Sequence, residues 1–368
     1  MEPGSDPPSS QRLRTVQYWY AGTRSLHDNV GNRHKCVACY KQFNRKEHLV
    51  EHMKIAYHSV HQPRCGVCLK HCKSLESVRE HLNGPLAKGN CASIFSERGC
   101  SLCLRVFEEA SALAEHKHKC RLSAPVPIGT TCIGPWADGS RSHNNCSTSR
   151  GPKAVAVDCE MVGGGDDGSI DLCARVCIVD EEENVILDTF VQPQIPVTNY
   201  RHEVTGLTKN DLKDGMPFRN VQEKFLSILY DGHYVRRPLL VGHGLKYDLD
   251  CLRISYPGHL LRDTAKYQPL MKTNISSQSL KYLTKSYLGY KIQSGKHCPY
   301  EDCVSAMRLY KKMRDQDHRF AGKLDTAKPG NGLNLWKQGD LEKMTPEELY
   351  EISRSEYWCW CLDRVIEQ

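Results

Sequence analysis

No apolar run in these 368 residues approaches the ~18–20 positions that a membrane-crossing helix needs. The opening Met1-Glu-Pro-Gly-Ser-Asp-Pro-Pro lacks the basic and apolar regions of a secretory signal, so a soluble intracellular protein is expected. No convincing basic import cluster is present. The glycine run Gly163–Gly165 is not followed by the Gly-Lys-Ser/Thr that would make it a phosphate loop. Cysteine, by contrast, is plentiful at 19 residues. Several fall at metal-ligand spacing, and Cys159, Cys173 and Cys177 sit in apolar, strand-like stretches as buried thiols. A reducing compartment suits that usage better than a disulfide framework does.

The metal-ligand spacing repeats. Cys36-x-x-Cys39 is followed after twelve residues by His52 and then by His58, with Phe43 and Leu49 where a ββα zinc finger needs its small core. The frame returns at Cys65, Cys68 and His81, and again at Cys100, Cys103 and His116, the latter with Phe107 and Leu113 in the core slots. Twelve residues separate the cysteine pair from the histidine in all three copies. Cys120 closes the third finger; His118 competes, but a single residue between it and His116 disfavours shared ligation. The second finger is doubtful, because Cys72 fills the slot usually held by an aromatic and the fourth ligand could only be the distant Cys91. Two to three structural zinc ions are expected, since fingers this small cannot fold on apolar burial alone.

Charge follows the fingers. Residues 1–125 carry 19 basic and 11 acidic residues, net +8, and the rest of the chain is near neutral at −1. Basic excess in the finger region is what phosphate contacts require. Yet Glu51, Glu80 and Glu115 each stand immediately before the first zinc histidine, at a usual base-reading position. The joints between fingers also lack the short Thr-Gly-Glu-Lys-Pro-like linker of groove-tracking arrays. Shape-based RNA binding or protein contact is favoured over reading duplex DNA.

Four acids and a histidine carry the second signal. Asp158 and Glu160 end the strand-like Lys153-Ala-Val-Ala-Val-Asp-Cys-Glu, and residues two apart on a strand share a face about 7 Å apart. Asp248 follows the apolar Pro238-Leu-Leu-Val-Gly-His and opens a segment with helical spacing. Asp302 lies in the first turn of a helix expected over 300–314, with His297 five positions before it. Each feature alone reads as an ordinary strand end, first-turn acid or surface histidine. Together, the carboxylates would repel one another unless divalent cations occupied the gap.

The order, spacing and neighbours of these segments resemble the DEDDh exonucleases, and more narrowly the RNA exonuclease four branch. The likeness runs from about Ala154 to Lys312 and includes Phe190-Val-Gln-Pro, Val197-Thr-Asn-Tyr-Arg, Val204-Thr-Gly-Leu-Thr and Ser279-Leu-Lys-Tyr-Leu. His297 fixes the histidine subclass, because the tyrosine variant needs Tyr where Cys298 stands. The resemblance implies two Mg²⁺ or Mn²⁺ ions on Asp158, Glu160, Asp248 and Asp302, with His297 as general base and nucleoside 5′-monophosphates released from a 3′ end. It implies contacts from Met161 and Arg201 to the terminal sugar, which favours RNA over DNA. It also implies a nuclear or nucleolar address. A DNA 3′→5′ exonuclease and a non-catalytic nucleic-acid-binding zinc-finger protein stand as alternatives, and the oligomeric state is open.

The expected organisation is a disordered start over 1–30, a finger region over 31–121 and a flexible linker over 122–152. An exonuclease domain over 153–322 and a helical extension over 323–368 follow. The fold class is α/β: a ribonuclease H-like mixed sheet with flanking helices, preceded by small ββα fingers. Strands are expected at 153–160, 170–180, 184–192 and 238–242, and helices near 217–231, 246–255, 277–287 and 300–314. Thr345-Pro-Glu-Glu should start a C-terminal helix reaching towards Ile366. The Trp358-Cys-Trp-Cys361 patch on it is expected to pack against the nuclease region rather than to bind a partner.

Overall fold

The computed structural model describes residues 33–36, 41–56, 61–85, 87, 89–126, 154–230, 237–273, 276–316 and 357–367. Among these, no helix is long and apolar enough to cross a membrane.

The amino-terminal part is built of three small finger units. In the first, strands β1 (His34–Lys35) and β2 (Gln42–Phe43) pair antiparallel beside α1 (Lys46–Ile55). The second and third each replace the hairpin by a single antiparallel bridge, Arg64 with His71 and Gly99 with Val106. Their helices are α2 (Leu75–Asn83) and α4 (Ala110–Cys120). An additional helix not foreseen in the sequence, α3 (Gly89–Arg98), stands between them and buries Cys91 and Phe95.

The larger part is a seven-stranded mixed sheet. Its strands are β3 (Ala154–Gly164), β4 (Ile170–Val179), β5 (Val185–Gln192), β6 (Val197–Asn199), β7 (Met216–Pro217), β8 (Leu239–Gly242) and β9 (Leu261–Asp263). Their order is β7-β5-β4-β3-β8-β9, with β6 pairing the far end of β3. β3, β4 and β5 form an antiparallel meander, whereas β8 joins β3, and β9 joins β8, in parallel. Two short helices, α5 (His202–Thr205) and α6 (Lys209–Lys213), precede α7 (Phe218–Tyr230), and α8 (Leu245–Leu252) follows β8. After these come α9 (Leu280–Leu283), which runs into a π-helical turn over Thr284–Leu288, and α10 (Pro299–Arg314).

β3 is the central strand because its small and β-branched residues can be buried on both faces. Ala154 and Ala156 face α10, where Cys303, Val304, Ala306, Met307 and Tyr310 cover them. Val155 and Val157 face α7 and α8, among Val221, Phe225, Leu229, Leu249 and Leu252. Each of the large side chains so covered contributes about 1.5–3 kcal/mol.

Two expectations need correction. Residues 357–359, expected within the C-terminal helix, are not helical, and a 3₁₀ helix begins at Trp360; the expected start at Thr345 lies outside the described residues. The break lets Trp358 Nε1 donate to Asp363 Oδ1 at 2.9 Å while Cys359 and Cys361 both turn inward. The expected linker also starts in a fixed way: Leu122 N–H donates to Leu288 O and Arg308 Nη1 to Ser123 O. Residues 127–153, like 1–32 and 317–356, lie outside the described residues.

The fingers are also not separate beads. Leu75, Val78, Leu82 and Phe95 share one apolar cluster with Leu270, Leu280, Tyr287 and Leu288 of the sheet domain. Tyr282 Oη donates to Glu76 Oε2 at 2.8 Å, and Arg79 Nη2 donates to Ser286 O at 3.1 Å. The Arg79 guanidinium lies 5.2 Å from the centre of the Tyr287 ring.

Candidate active site

Period-two geometry brings the first two acids to one place. Asp158 and Glu160 continue the face of β3 that carries Ala154 and Ala156, and so point towards α10. Just beyond, the β3–β4 register slips: Glu160 pairs with Arg175 but Met161 with Cys173, so Ala174 is an extra residue in β4. Such a bulge redirects the side chains that follow. Arg175 is itself held by Asp188 through two hydrogen bonds of 2.9 and 2.8 Å.

Asp248 arrives from the β8–α8 turn. A Cβ on Gly242 would sit 2.4 Å from Leu245 and 3.1 Å from Val157 O. Gly244 caps α8 with φ +81°, a conformation glycine adopts freely. This tight turn buries Asp248 in the first turn of α8, where its Oδ1 accepts the Cys159 backbone N–H at 3.0 Å.

Asp302 comes from the first turn of α10, whose start is fixed by Pro299. Its Oδ2 accepts Gln293 Nε2 at 2.9 Å, while its buried Oδ1 has no hydrogen-bond partner among the described residues. His297 is placed by its backbone N–H, which donates to Val204 O at 2.8 Å. One ligand atom each of Glu160, His297 and Asp302 lie within 4.8 Å of one another.

The electrostatics show how much negative charge is gathered. Burial, then Asp302, Asp248 and Glu160, push the Asp158 carboxyl well above its ordinary range. Burial and the nearby Asp302 raise Glu160 to about 7 against a small pull from Arg175. Burial raises Asp302 to about 7, opposed by the Gln293 amide. Burial also raises Asp248, offset in part by the Cys159 N–H. His297 is lowered, first by burial and then by Lys281, which favours the neutral imidazole. Three buried carboxylates beside the half-buried Asp158, with an Asp302 Oδ1 that has no partner among the described residues, fit a hard divalent cation, which supplies positive charge and prefers oxygen donors.

Met161 is half-buried against the α7–α8 side of the sheet. Arg201 has φ +48° and pairs through Nη2 with Asp171 Oδ1 at 2.7 Å. Sequence reasoning missed Gln293 and Asp263. The latter accepts Gly244 N–H at 2.8 Å and so steadies the turn before Asp248.

Two sets of thiols and imidazoles complete the inventory of the finger region. Cys65, Cys68, His81 and Cys91 bring their ligand atoms within 4.8 Å of one another, and so do Cys100, Cys103, His116 and Cys120. Cys68 Sγ lies 3.3 Å from His81 Nε2, and Cys103 Sγ lies 3.2 Å from His116 Nε2. Cys65 Sγ accepts the N–H groups of Val67 and Cys68. The doubtful second finger therefore has its four candidate ligands together, because α3 carries Cys91 back. In the first finger Cys36 is buried and His52 stacks on Phe43 at 4.9 Å, whereas Cys39 and His58 lie outside the described residues.

With this arrangement in view, comparison with known proteins is direct. Residues 155–310 match the exonuclease family. Over 172 residues the chain is 38% identical to the RNA exonuclease 4 of Candida glabrata, covering 45% of this chain and 63% of that protein. Against the RNA exonuclease 4 of Xenopus laevis, identity is 42% over 159 residues, covering 43% of this chain and 36% of that protein. The chain thus spans less than two thirds of these curated relatives. Among solved structures, the Saccharomyces cerevisiae Pan2 pseudoubiquitin hydrolase–RNA exonuclease module with A7 RNA is similar at 26% identity and a TM-score of 0.39. That match covers 45% of this chain and 29% of the Pan2 chain. The match to the exonuclease family covers β3 to α10, and so all four acids and His297.

Proposed function

We propose that this protein is a metal-dependent 3′→5′ exoribonuclease that releases nucleoside 5′-monophosphates. The observation that carries the reading is the convergence of Glu160, His297 and Asp302, with Asp158 under the combined charge of its acidic neighbours. Similarity to proteins named RNA exonuclease 4 supports RNA as the substrate class.

In this reading Asp158, Glu160, Asp248 and Asp302 hold two Mg²⁺ or Mn²⁺ ions. When bound, such a pair activates water and offsets charge on the entering and leaving oxygens. The chain's own contribution is placement and proton transfer. The lowered pKa of His297 leaves a ring nitrogen free near neutral pH to take the proton of the attacking water. Gln293 holds one oxygen of Asp302, so the other stays directed into the acidic cluster. Met161 and Arg201 contact the terminal sugar, with Arg201 exchanging its exposed pairing to Asp171 for substrate.

The fingers add structural zinc, at Cys36, Cys39, His52 and His58, at Cys65, Cys68, His81 and Cys91, and at Cys100, Cys103, His116 and Cys120. Because the second and third are docked on the exonuclease region, they extend its RNA surface rather than search as tethered modules. A nuclear or nucleolar address completes the proposal.

The test is competition between single-stranded RNA and DNA of one sequence, each labelled at its 5′ end, with the full chain and Mg²⁺. Stepwise shortening of RNA in preference to DNA, with 5′-mononucleotides as product, is expected. Preferential DNA shortening would overturn the substrate, and no shortening of either would overturn the activity.

A further inference from the structure

One motif remains outside both the exonuclease centre and the finger frames: the Cys359-Trp-Cys361 segment. Its two thiols are buried, and facing them is the buried imidazole of His61, almost 300 residues earlier in the chain. Ligand atoms of His61, Cys359 and Cys361 lie within 4.8 Å of one another, and Cys361 Sγ lies 3.4 Å from His61 Nδ1. The corresponding sulfur–nitrogen separations in the second and third fingers are 3.3 and 3.2 Å. A tetrahedral zinc with bonds of ~2.3 Å to sulfur and ~2.0–2.1 Å to nitrogen sets its ligands about 3.6 Å apart. The three side chains therefore stand as the finger ligands do.

Their surroundings hold them there. Tyr357 Oη donates to His61 O at 2.6 Å, which ties the two segments together beside the cluster. Tyr267 Oη is 3.6 Å from Cys359 Sγ, and the Tyr267 ring stacks on Trp360 at 3.8 Å. Asp363 anchors the segment from below, with two bonds of 2.7 and 2.6 Å from Arg262 of β9 and one of 3.1 Å from Tyr310 of α10. A further thiol group, Cys159, Cys173 and Cys251, has no imidazole and lies within the sheet core; it reads as packing.

We infer that His61, Cys359 and Cys361 bind a zinc ion that clasps the C-terminal segment to the joint before the second finger. Two thiolates and one imidazole are a soft donor set of the kind that selects zinc, and they leave one coordination position for a further donor. The ion would bring together segments about 300 residues apart in the chain, and the C-terminal one already leans on β9 and α10. The site is independent of the exonuclease reading and of the fingers' own zinc.

The experiment is metal counting on the purified full-length protein. Cys359→Ser/Cys361→Ser and His61→Ala should each hold one zinc fewer per chain than the native protein. His61→Cys, which restores a ligand, should keep the full count. An unchanged count in the double variant, or equal counts in His61→Ala and His61→Cys, overturns the proposal. A measurement on the native chain guards against misfolding: cysteine alkylation read by mass spectrometry, with and without a strong chelator. Cys359 and Cys361 should become labelled only with chelator, while Cys177 and Cys303 of the sheet core stay unlabelled. Labelling without chelator, or none with it, overturns the site.

Discussion

Asp302 concentrates the physics of the centre in one residue. It is buried, one oxygen is held by Gln293 and the other has no partner among the described residues, and burial raises its pKa to about 7. Removing its charge has two opposite consequences. Asp302→Asn should abolish most nuclease activity, because the cation site loses an anionic donor. The same variant should unfold at a higher temperature than the native chain in magnesium-free buffer, since a buried charge without its counter-ion has been removed. A gain of roughly 1–3 kcal/mol is expected. A near-normal rate in Asp302→Asn would contradict the assignment. Gln293→Ala should lower activity about 10–100-fold, the usual consequence of losing a group that orients a metal ligand.

The raised carboxylates also fix a pH dependence. Glu160 and Asp302 titrate near 7 in the folded chain and near 4–4.5 when unfolded, so the folded state binds more protons between those values. Stability without magnesium should therefore be highest below about pH 4 as far as these groups are concerned, and fall as pH rises to about 7. The slope is on the order of 1 kcal/mol per pH unit for each group. Added Mg²⁺ should flatten it. Thermal melts across that range, with and without the ion, read both effects; a stability that rises with pH through 4.5–7 would count against the raised values.

Among the elements, β3 and α10 were legible from sequence because their patterns are local. Alternation of small apolar residues marks β3, period two puts Asp158 and Glu160 on one face, and Pro299 followed by helical spacing marks α10. Short elements were not: β6, β7 and β9 run for two or three residues and exist by pairing with longer strands. α3 has a weak apolar stripe and is held by burying Cys91 and Phe95. Gln293 could not be read either, as its φ of +53° and its bond to Asp302 depend on the finished loop. At this scale, Arg79 of α2 tests the docking of the second finger. Arg79→Ala should lower stability by about 1–3 kcal/mol through its bond to Ser286 O, with zinc content unchanged. Loss of zinc in that variant would mean that the residue serves the finger itself.

Across the whole molecule, sequence patterns located the parts but not their union. Cysteine spacing marked the repeated Cys/His frames, and acid spacing marked the stretch from β3 to α10. That the two share one apolar cluster follows from complementary faces of α2 and the 270–288 segment, which no periodicity reports. The Trp358-Cys-Trp-Cys361 patch was visible as unusual, yet its partner His61 is brought to it only by folding. The strongest fastener at this scale is the Arg262–Asp363 pair, with both side chains almost wholly buried. Asp363→Ala leaves the Arg262 cation buried and unpaired, and should cost about 3–5 kcal/mol in a denaturant titration. A loss below about 1 kcal/mol would show that the C-terminal segment is peripheral to the fold.

In the proposed mechanism Asp158, Glu160, Asp248 and Asp302 form one divalent-cation site beside His297. Anomalous diffraction from a crystal of the full chain soaked in Mn²⁺ tests it most directly. Manganese peaks bonded to oxygens of all four acids, and absent from an Asp158→Asn/Asp302→Asn crystal, are expected. Manganese elsewhere and none among these carboxylates would contradict it.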